Sequence, residues 1–194
     1  MNKERLLAAV HGPRDFPPKI DNLVAFGGRS NVGKSSLLNS LLKLPVARIS
    51  KTPGRTRAIY LFDSRAGWIA ADLPGFGFAA GSRDDRASWK ELVASLFEGK
   101  RPLLTIQLID PRIPTSDFDL DFRDYLRDLA LRSACIATKA DRLNQSERSQ
   151  AKARLEKEFG DVLFVSSRTG EGIEALRKRI QKELPNGETP KKRN

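Results

Sequence analysis

The sequence is poor in the residues on which several classes of protein depend. Its 194 residues include one cysteine, one histidine and one methionine. A single cysteine excludes intramolecular disulfides and cysteine-rich metal sites. No apolar run approaches the ~18 residues that a membrane-spanning helix needs, and residues 1–18 lack the apolar core of a secretory signal. These absences predict a cytoplasmic protein without a membrane anchor.

Acidic residues are also outnumbered. The 24 aspartates and glutamates face 35 lysines and arginines, which leaves a formal net charge of +11. A surplus of this size favours polyanionic partners, either nucleic acid or an anionic membrane surface, although it also serves solubility. Hydrophobic residues make up 39% of the chain, which is enough for a folded core. The length predicts one domain with tails.

Short apolar runs alternate with helical patterns along the chain. Six strands are predicted at 23–26, 59–62, 68–71, 103–109, 134–137 and 162–165. Helices are predicted at 34–42, 89–97, 118–129, 146–159 and 173–184, with Ser146 as the N-cap of the fourth. Strands buried on both faces that alternate with helices favour a three-layer α/β fold, in which helices flank a mostly parallel six-stranded sheet. The predicted organisation is a leader at 1–20, one domain at 21–184 and a flexible basic tail at 185–194.

The strongest local signal follows the first predicted strand. Residues 28–35 read Gly-Arg-Ser-Asn-Val-Gly-Lys-Ser, a complete G-x-x-x-x-G-K-[ST] pattern between a strand and a helix. Such a loop turns its backbone N–H groups towards phosphate oxygens, and the helix adds its positive end. The expected nucleotide contacts are Gly28, Arg29, Ser30, Asn31, Val32, Gly33, Lys34, Ser35 and Ser36. Lys34 would pair with the β- and γ-phosphates, and the Ser35 hydroxyl would bind Mg²⁺.

A second pattern ends the third predicted strand. Residues 72–75 read Asp-Leu-Pro-Gly, a D-x-x-G that is common on its own but gains weight from its place 38 residues after Lys34. Asp72 would hold Mg²⁺ through water, and the Gly75 N–H would reach the γ-phosphate, with Leu73 and Pro74 completing the contact. The alternative is a plain turn from strand to helix.

The purine is predicted by two later segments. Thr138-Lys139-Ala140-Asp141 follows a buried strand. A carboxylate at 141 can accept hydrogen bonds from guanine N1–H and N2–H₂, which adenine does not offer, and the Lys139 stem can lie over the purine. Ser166, Ser167 and Arg168 follow the last strand, where the backbone N–H of residue 167 is a candidate donor to guanine O6. A salt-bridged surface pair is the alternative reading of Lys139 and Asp141.

Together these motifs resemble those of the translation-factor-related GTPases and, within them, the EngB/YihA family of bacterial ribosome-biogenesis GTP-binding proteins. The similarity covers about residues 20–184. Five features support the narrower family: the run Gly-Arg-Ser-Asn-Val-Gly-Lys-Ser-Ser-Leu at 28–37, Lys-Thr-Pro-Gly-Arg-Thr at 51–56, Asp-Leu-Pro-Gly-Phe-Gly-Phe-Ala at 72–79, a threonine at 138 where most GTPases have asparagine, and Asp-Pro-Arg at 110–112. The run at 72–79 departs from the family pattern in one respect, since Phe76 and Phe78 stand where the family has tyrosines.

The resemblance implies a mechanism and further site residues. Switch I would span about 45–58 and switch II about 75–86, with Gly54 and Arg55 near the nucleotide and Thr56 joining Ser35 and Asp72 around Mg²⁺. Ras-like enzymes orient water with a glutamine at the position of Phe76, so slow hydrolysis is expected here. Related GTPases with an asparagine at the position of Asn31 bind K⁺, which predicts K⁺ stimulation. Lys34, Thr56 and Asn31 are therefore the candidate catalytic residues.

Three functions follow in order of support. The first is a monomeric GTPase that hydrolyses GTP to GDP and acts as a nucleotide-dependent switch on the large ribosomal subunit or its precursor. The second is a slow or non-catalytic module that binds RNA or ribonucleoprotein when GTP is bound. The third, a membrane-surface G protein, has only the basic charge in its favour, and one basic patch anchors weakly.

Overall fold

The computed structural model describes residues 5–43, 58–75 and 83–185, with backbone alone for 83–88. Its helices and strands, in chain order, are β1 (Leu6–Val10), β2 (Leu23–Gly28), α1 (Lys34–Leu42), β3 (Ile59–Asp63), β4 (Ile69–Asp72), α2 (Arg83–Gly99), β5 (Leu104–Ile109), α3 (Asp117–Asp128), β6 (Ser133–Ala137), α4 (Gln145–Phe159), β7 (Val162–Phe164) and α5 (Ile173–Glu183).

These strands form one sheet in the order β1-β3-β4-β2-β5-β6-β7. Strands β4, β2, β5, β6 and β7 pair in parallel, whereas β3 is antiparallel to both β4 and β1. The predicted α/β fold with a mostly parallel sheet is confirmed. The predicted count of six strands is wrong, because Leu6–Val10, expected inside a leader, pairs with Ile59–Phe62 as a seventh strand at the sheet edge. Its partner is some fifty residues away in sequence, so local pattern gives little sign of the pairing.

Side chains alternate between the two faces of the sheet, as the strand period of two requires. On β2, Val24 and Phe26 pack with the apolar faces of α1 and α5. Leu23 and Ala25 instead pack with those of α2 and α3. Helix α4 covers β6 and β7, where Cys135 is a buried thiol whose pKa burial raises to about 12. The two faces together give the expected three layers.

The start of α4 differs from its prediction by one residue and by its cap. Asn144, not Ser146, is the N-cap: its side chain accepts from the Glu147 N–H at 2.9 Å, and the Glu147 carboxylate accepts from the Asn144 N–H at 2.8 Å. This reciprocal capping box satisfies two backbone donors, whereas a cap at Ser146 would lack the second bond. The cap fixes the chain just after Asp141.

Arg5 ties the edge strand to the rest of the domain. It is 7% exposed, and its guanidinium donates to the carbonyl oxygens of Asp63 at 2.9 Å, Leu42 at 2.8 Å and Ser64 at 2.7 Å. The Leu42 carbonyl belongs to the last turn of α1, where orphan carbonyl groups favour a cation. One side chain therefore joins β1, the end of α1 and the β3–β4 turn.

The parallel strands end at the same edge of the sheet. The loops that follow β2, β4, β5, β6 and β7 are therefore neighbours, and open α/β sheets bind ligands at this edge. Every predicted motif in the described part of the chain lies in one of these loops.

Candidate functional site

The loop after β2 has a backbone that depends on its glycines. Gly33, directly before α1, has a φ of 106°, a conformation that other residues rarely adopt. A side chain at Gly28 would place its Cβ 2.8 Å from the Leu108 carbonyl oxygen. Helix α1 begins at Lys34, as the sequence predicts, so its positive N-terminal end adjoins the loop. This arrangement suits an anion.

Lys34 and Asp72 form an ion pair at the centre of the site. The Lys34 ammonium donates to Asp72 Oδ1, and the two side chains are 12% and 4% exposed. Ser35 and Ser36 lie beside Lys34 in the first turn of α1. A lysine, a carboxylate and a hydroxyl, all hard donors or acceptors, are thus gathered where β2 and β4 end.

The segment after β4 returns to the loop. A Cβ on Gly75 would lie 3.1 Å from Ser30 Oγ. Just before it, the Pro74 carbonyl oxygen accepts from Trp89 Nε1 at 2.9 Å. This hydrogen bond from Trp89, on α2, fixes the D-x-x-G segment, and the sequence position of Trp89 did not predict it. Leu73 is buried in the core.

Residues 138 and 139 are bonded to the phosphate-loop backbone. Thr138 Oγ1 lies 2.6 Å from the Val32 carbonyl oxygen, to which it donates. Lys139, with a φ of 56°, donates through Nζ to the Asn31 carbonyl oxygen at 2.6 Å. Threonine at 138 therefore has a definite structural role, since its hydroxyl joins the loop after β6 to the loop after β2.

Asp141 lies at the far end of the same loop, and both its carboxylate oxygens accept hydrogen bonds. Ser166 Oγ donates to Oδ1 at 2.5 Å, and Arg168 Nε donates to Oδ2 at 2.7 Å. The bond from Ser166, and then that from Arg168, lowers the pKa of Asp141, so the carboxylate stays ionised at neutral pH. Ser166 is fully buried, whereas Arg168 is mostly exposed. Ser167 lies between them. The two base-recognition segments predicted from the sequence are thus in direct contact.

Asp110, which follows β5, also contacts this site. It accepts from Arg112 Nε at 2.9 Å and Nη2 at 2.7 Å, and from Lys139 Nζ at 2.9 Å. Burial alone would raise the pKa of Asp110, but the hydrogen bonds from Arg112 and Lys139 lower it to about 2. The sequence marked the Asp-Pro-Arg run without giving it a role. Its position directly after a buried strand was the feature from which its place beside the site could have been predicted.

Several predicted residues lie outside the described part of the chain. They are Gly54, Arg55, Thr56, Phe76 and the tail at 186–194. The described site therefore comprises the phosphate loop, residues 72–75 and the loops after β5, β6 and β7.

Known proteins are similar to this chain in both sequence and fold. The model of a family described as "50S ribosome-binding GTPase" matches residues 23–140. A probable GTP-binding protein EngB from Thermotoga petrophila is 39% identical over 177 residues, which cover 88% of this chain and 91% of the relative.

The chain belongs to the EngB family of GTP-binding proteins.

Other EngB proteins are also similar to this chain over most of their length. A probable EngB of Rhodopseudomonas palustris is 41% identical over 173 residues, covering 84% of this chain and 80% of that protein. The crystal structure of a probable EngB superposes with a TM-score of 0.70 at 25% identity, over 83% of this chain and 97% of the other. The EngB resemblance and the P-loop GTPase fold predicted from the motifs are confirmed. Among the described residues, no helix is both long and apolar enough to span a bilayer.

Proposed function

We propose that this EngB-family protein binds GTP and GDP with Mg²⁺, hydrolyses GTP slowly, and acts as a nucleotide-dependent switch on the large ribosomal subunit or its precursor. One observation carries the nucleotide part. The phosphate loop, Asp72–Gly75, Thr138–Asp141 and Ser166–Arg168 all lie along one edge of the sheet, and hydrogen bonds join most of them. Family membership supports the same reading.

Selection of guanine would rest on Asp141. Each of its carboxylate oxygens accepts one hydrogen bond within the protein. A carboxylate oxygen has two lone pairs, so each can accept a second bond, one from guanine N1–H and one from N2–H₂. Adenine offers no such pair of donors, and the ionised state of Asp141 suits a charge-assisted bond. The contribution of Ser167 would be its backbone N–H towards guanine O6.

The phosphates would lie over the loop at the start of α1. Lys34 would leave Asp72 and donate to the β- and γ-phosphates, while the Gly75 N–H would meet the γ-phosphate. Ser35 and Asp72, with Thr56 from the expected switch I, fit Mg²⁺ because all three offer oxygen atoms, which this hard cation prefers. When bound, Mg²⁺ supplies charge neutralisation at the β- and γ-oxygens.

Hydrolysis would convert GTP and water to GDP and phosphate without a protein side chain to orient the water. Phe76 occupies the position that follows the D-x-x-G glycine, and its ring has no polar atom. We therefore expect slow intrinsic turnover. Asn31 fits a K⁺ ligand because its side chain is exposed while its backbone carbonyl is bound by Lys139. Turnover in K⁺ that exceeds turnover in Na⁺, and an Asn31→Ala variant that loses the difference, would support this role.

The ribosomal partner is proposed from the family and the charge. The matching family is described by its binding to the 50S ribosome, and the chain carries a net charge of +11. A basic protein binds RNA through phosphate contacts whose strength falls steeply with salt. Charge alone would give binding in any nucleotide state, so a switch requires a difference between states.

Co-sedimentation with large ribosomal subunits tests the switch. We would compare a non-hydrolysable GTP analogue with GDP at fixed, near-physiological salt. Both samples would be repeated with Asp141→Asn, a control variant expected to bind guanine nucleotides weakly. Pelleting with the analogue alone, lost in the variant, is the expected result. Equal pelleting in all four samples, or none, would contradict the switch.

A non-catalytic module is the second candidate, favoured by Phe76. It predicts the same nucleotide-dependent pelleting but no rise in phosphate release when subunits are added. Steady-state phosphate release with and without subunits separates the two functions.

A further inference from the structure

Asp110 is a buried carboxylate at the nucleotide edge of the sheet that the proposed function does not use. Its side chain is 7% exposed, directly after β5. It accepts three bonds from Arg112, one from the backbone N–H at 3.2 Å and two from the guanidinium at 2.9 and 2.7 Å. A carboxylate bound in this two-pronged way has a fixed orientation. Its Oδ2 nevertheless takes a further bond, from Lys139.

That further bond determines where the lysine lies. Lys139 Nζ contacts Asp110 Oδ2 at 2.9 Å and the Asn31 carbonyl oxygen at 2.6 Å. Its Cε lies 3.7 Å from where a Cβ on Gly33 would be, so the stem crosses the phosphate loop. A lysine loses rotamer freedom when it is fixed in one conformation. The hydrogen bonds to Asp110 and to the Asn31 carbonyl oxygen already fix the lysine without a ligand. Nucleotide binding would therefore not have to bear this loss.

We propose that Asp110 is a positioning residue for guanine-nucleotide binding: through its bond to Lys139, it holds the lysine stem across the phosphate loop where the purine would pack. The inference rests on the proposed function. Asp110 does not touch the nucleotide in this account, and Arg112 keeps it in place. Since Lys139 lies on the purine side and not at the γ-phosphate, Asp110 affects GTP and GDP by the same factor.

The test measures release of fluorescently labelled GDP and GTP by stopped flow at pH 7. Asp110→Asn keeps the shape of the side chain but removes its charge. Asp124→Asn is the matched control, because Asp124 makes the same two-pronged pair with Arg123, at 2.8 and 2.9 Å, on α3. The thermal midpoint of each variant without nucleotide confirms that it is folded at the assay temperature.

We expect Asp110→Asn to release both nucleotides about tenfold faster, the effect of one charge-assisted hydrogen bond. Asp124→Asn should behave as the wild type. Asp110→Glu, which keeps the charge, should recover part of the slow release. A merely structural role would lower the thermal midpoint without this recovery.

A double-mutant cycle with Lys139→Met separates action through the lysine from any other route. If Asp110 acts through Lys139, then the double variant releases nucleotide no faster than Lys139→Met alone. Additive effects, or wild-type release from Asp110→Asn, would overturn the inference while leaving the proposed function intact. A wild-type protein that binds neither labelled nucleotide would overturn both.

Discussion

The two sides of the candidate site are organised differently. On the base side, Lys139 is bonded to Asp110 and to the phosphate-loop backbone, while Asp141 is bonded to Ser166 and Arg168. On the phosphate side, the ammonium of Lys34 is paired with Asp72. In the proposed complex the base side would accept a purine while keeping its bonds, whereas Lys34 would exchange a carboxylate for a phosphate.

This difference indicates how the two sides would share the work. Because its contacts would persist through binding, the base side is preformed and would contribute equally to the affinities for GTP and GDP. Contacts that exchange make the phosphate side responsive to the number of phosphates. Substitutions on the base side should therefore change the affinities for GTP and GDP by the same factor. Substitutions on the phosphate side should change the affinity for GTP more than that for GDP.

Asp141→Asn should have the largest effect, on the order of a hundredfold loss of affinity for both GTP and GDP, because the two charge-assisted bonds that Asp141 would make to guanine are lost. The amide can donate where the carboxylate accepted, so xanthine nucleotides, which carry an oxygen at C2, should bind better than to the wild type. Competition titrations with the three nucleotides measure both changes. A loss confined to GTP would contradict the preformed base side.

Lys34→Met should come next, with a loss of several tens of fold for GTP and a smaller loss for GDP, because the lysine would bond to both the β- and γ-phosphates in the proposed complex. Lys43→Met is the matched control, since Lys43 is exposed at the other end of α1. Fluorescence titration of each variant gives the two affinities. Equal losses for the two nucleotides would remove the proposed distinction between the sides.

Acid should lower the free energy of unfolding by protonating Asp110, which lies on the base side. Its folded-state pKa of about 2 lies below the ordinary value of 3.8. The ionised carboxylate therefore stabilises the fold above pH 4, and this stabilisation, at most about 2 kcal/mol, is lost as the pH falls from 4 to 2. Asp110→Asn cannot ionise.

Urea unfolding between pH 7 and pH 2 measures this contribution. The excess free energy of unfolding of the wild type over Asp110→Asn should be constant above pH 5 and disappear near pH 2. A difference that does not change with pH would mean that the bonds from Arg112 and Lys139 do not set the pKa of Asp110.

Gly75→Ala should have the smallest effect, a loss of about threefold to tenfold for GTP with GDP unchanged. The new Cβ would lie 3.1 Å from Ser30 Oγ, so the segment must shift by a few tenths of an ångström away from the γ-phosphate position. Gly99→Ala is the control, because its Cβ position has no neighbour within 4 Å apart from the adjoining residues and backbone of its own helix. An equal loss of affinity for GDP would mean that Gly75 does not contact the γ-phosphate.

Local patterns predicted much of this molecule. The strand–loop–helix at 23–42 follows directly from a continuous apolar run and a glycine-rich loop, and α1 has the bounds that the sequence predicts. Long-range pairs were not predictable in the same way. Arg5 bonds to carbonyl groups 37 to 59 residues away, and Asp110 reaches Lys139 across 29. A single sequence does not show such pairings, because they depend on which loops the topology brings together.

The most direct test of the account compares the affinities of the wild-type protein for GTP, GDP and ATP with Mg²⁺ present, by isothermal titration. GTP and GDP should bind with affinities within about tenfold of each other, and ATP at least about a hundredfold more weakly, because adenine lacks the N1–H and N2–H₂ donors that guanine would offer to Asp141. Binding of ATP as tight as that of GTP would contradict the assignment of Asp141 and the preformed base side with it.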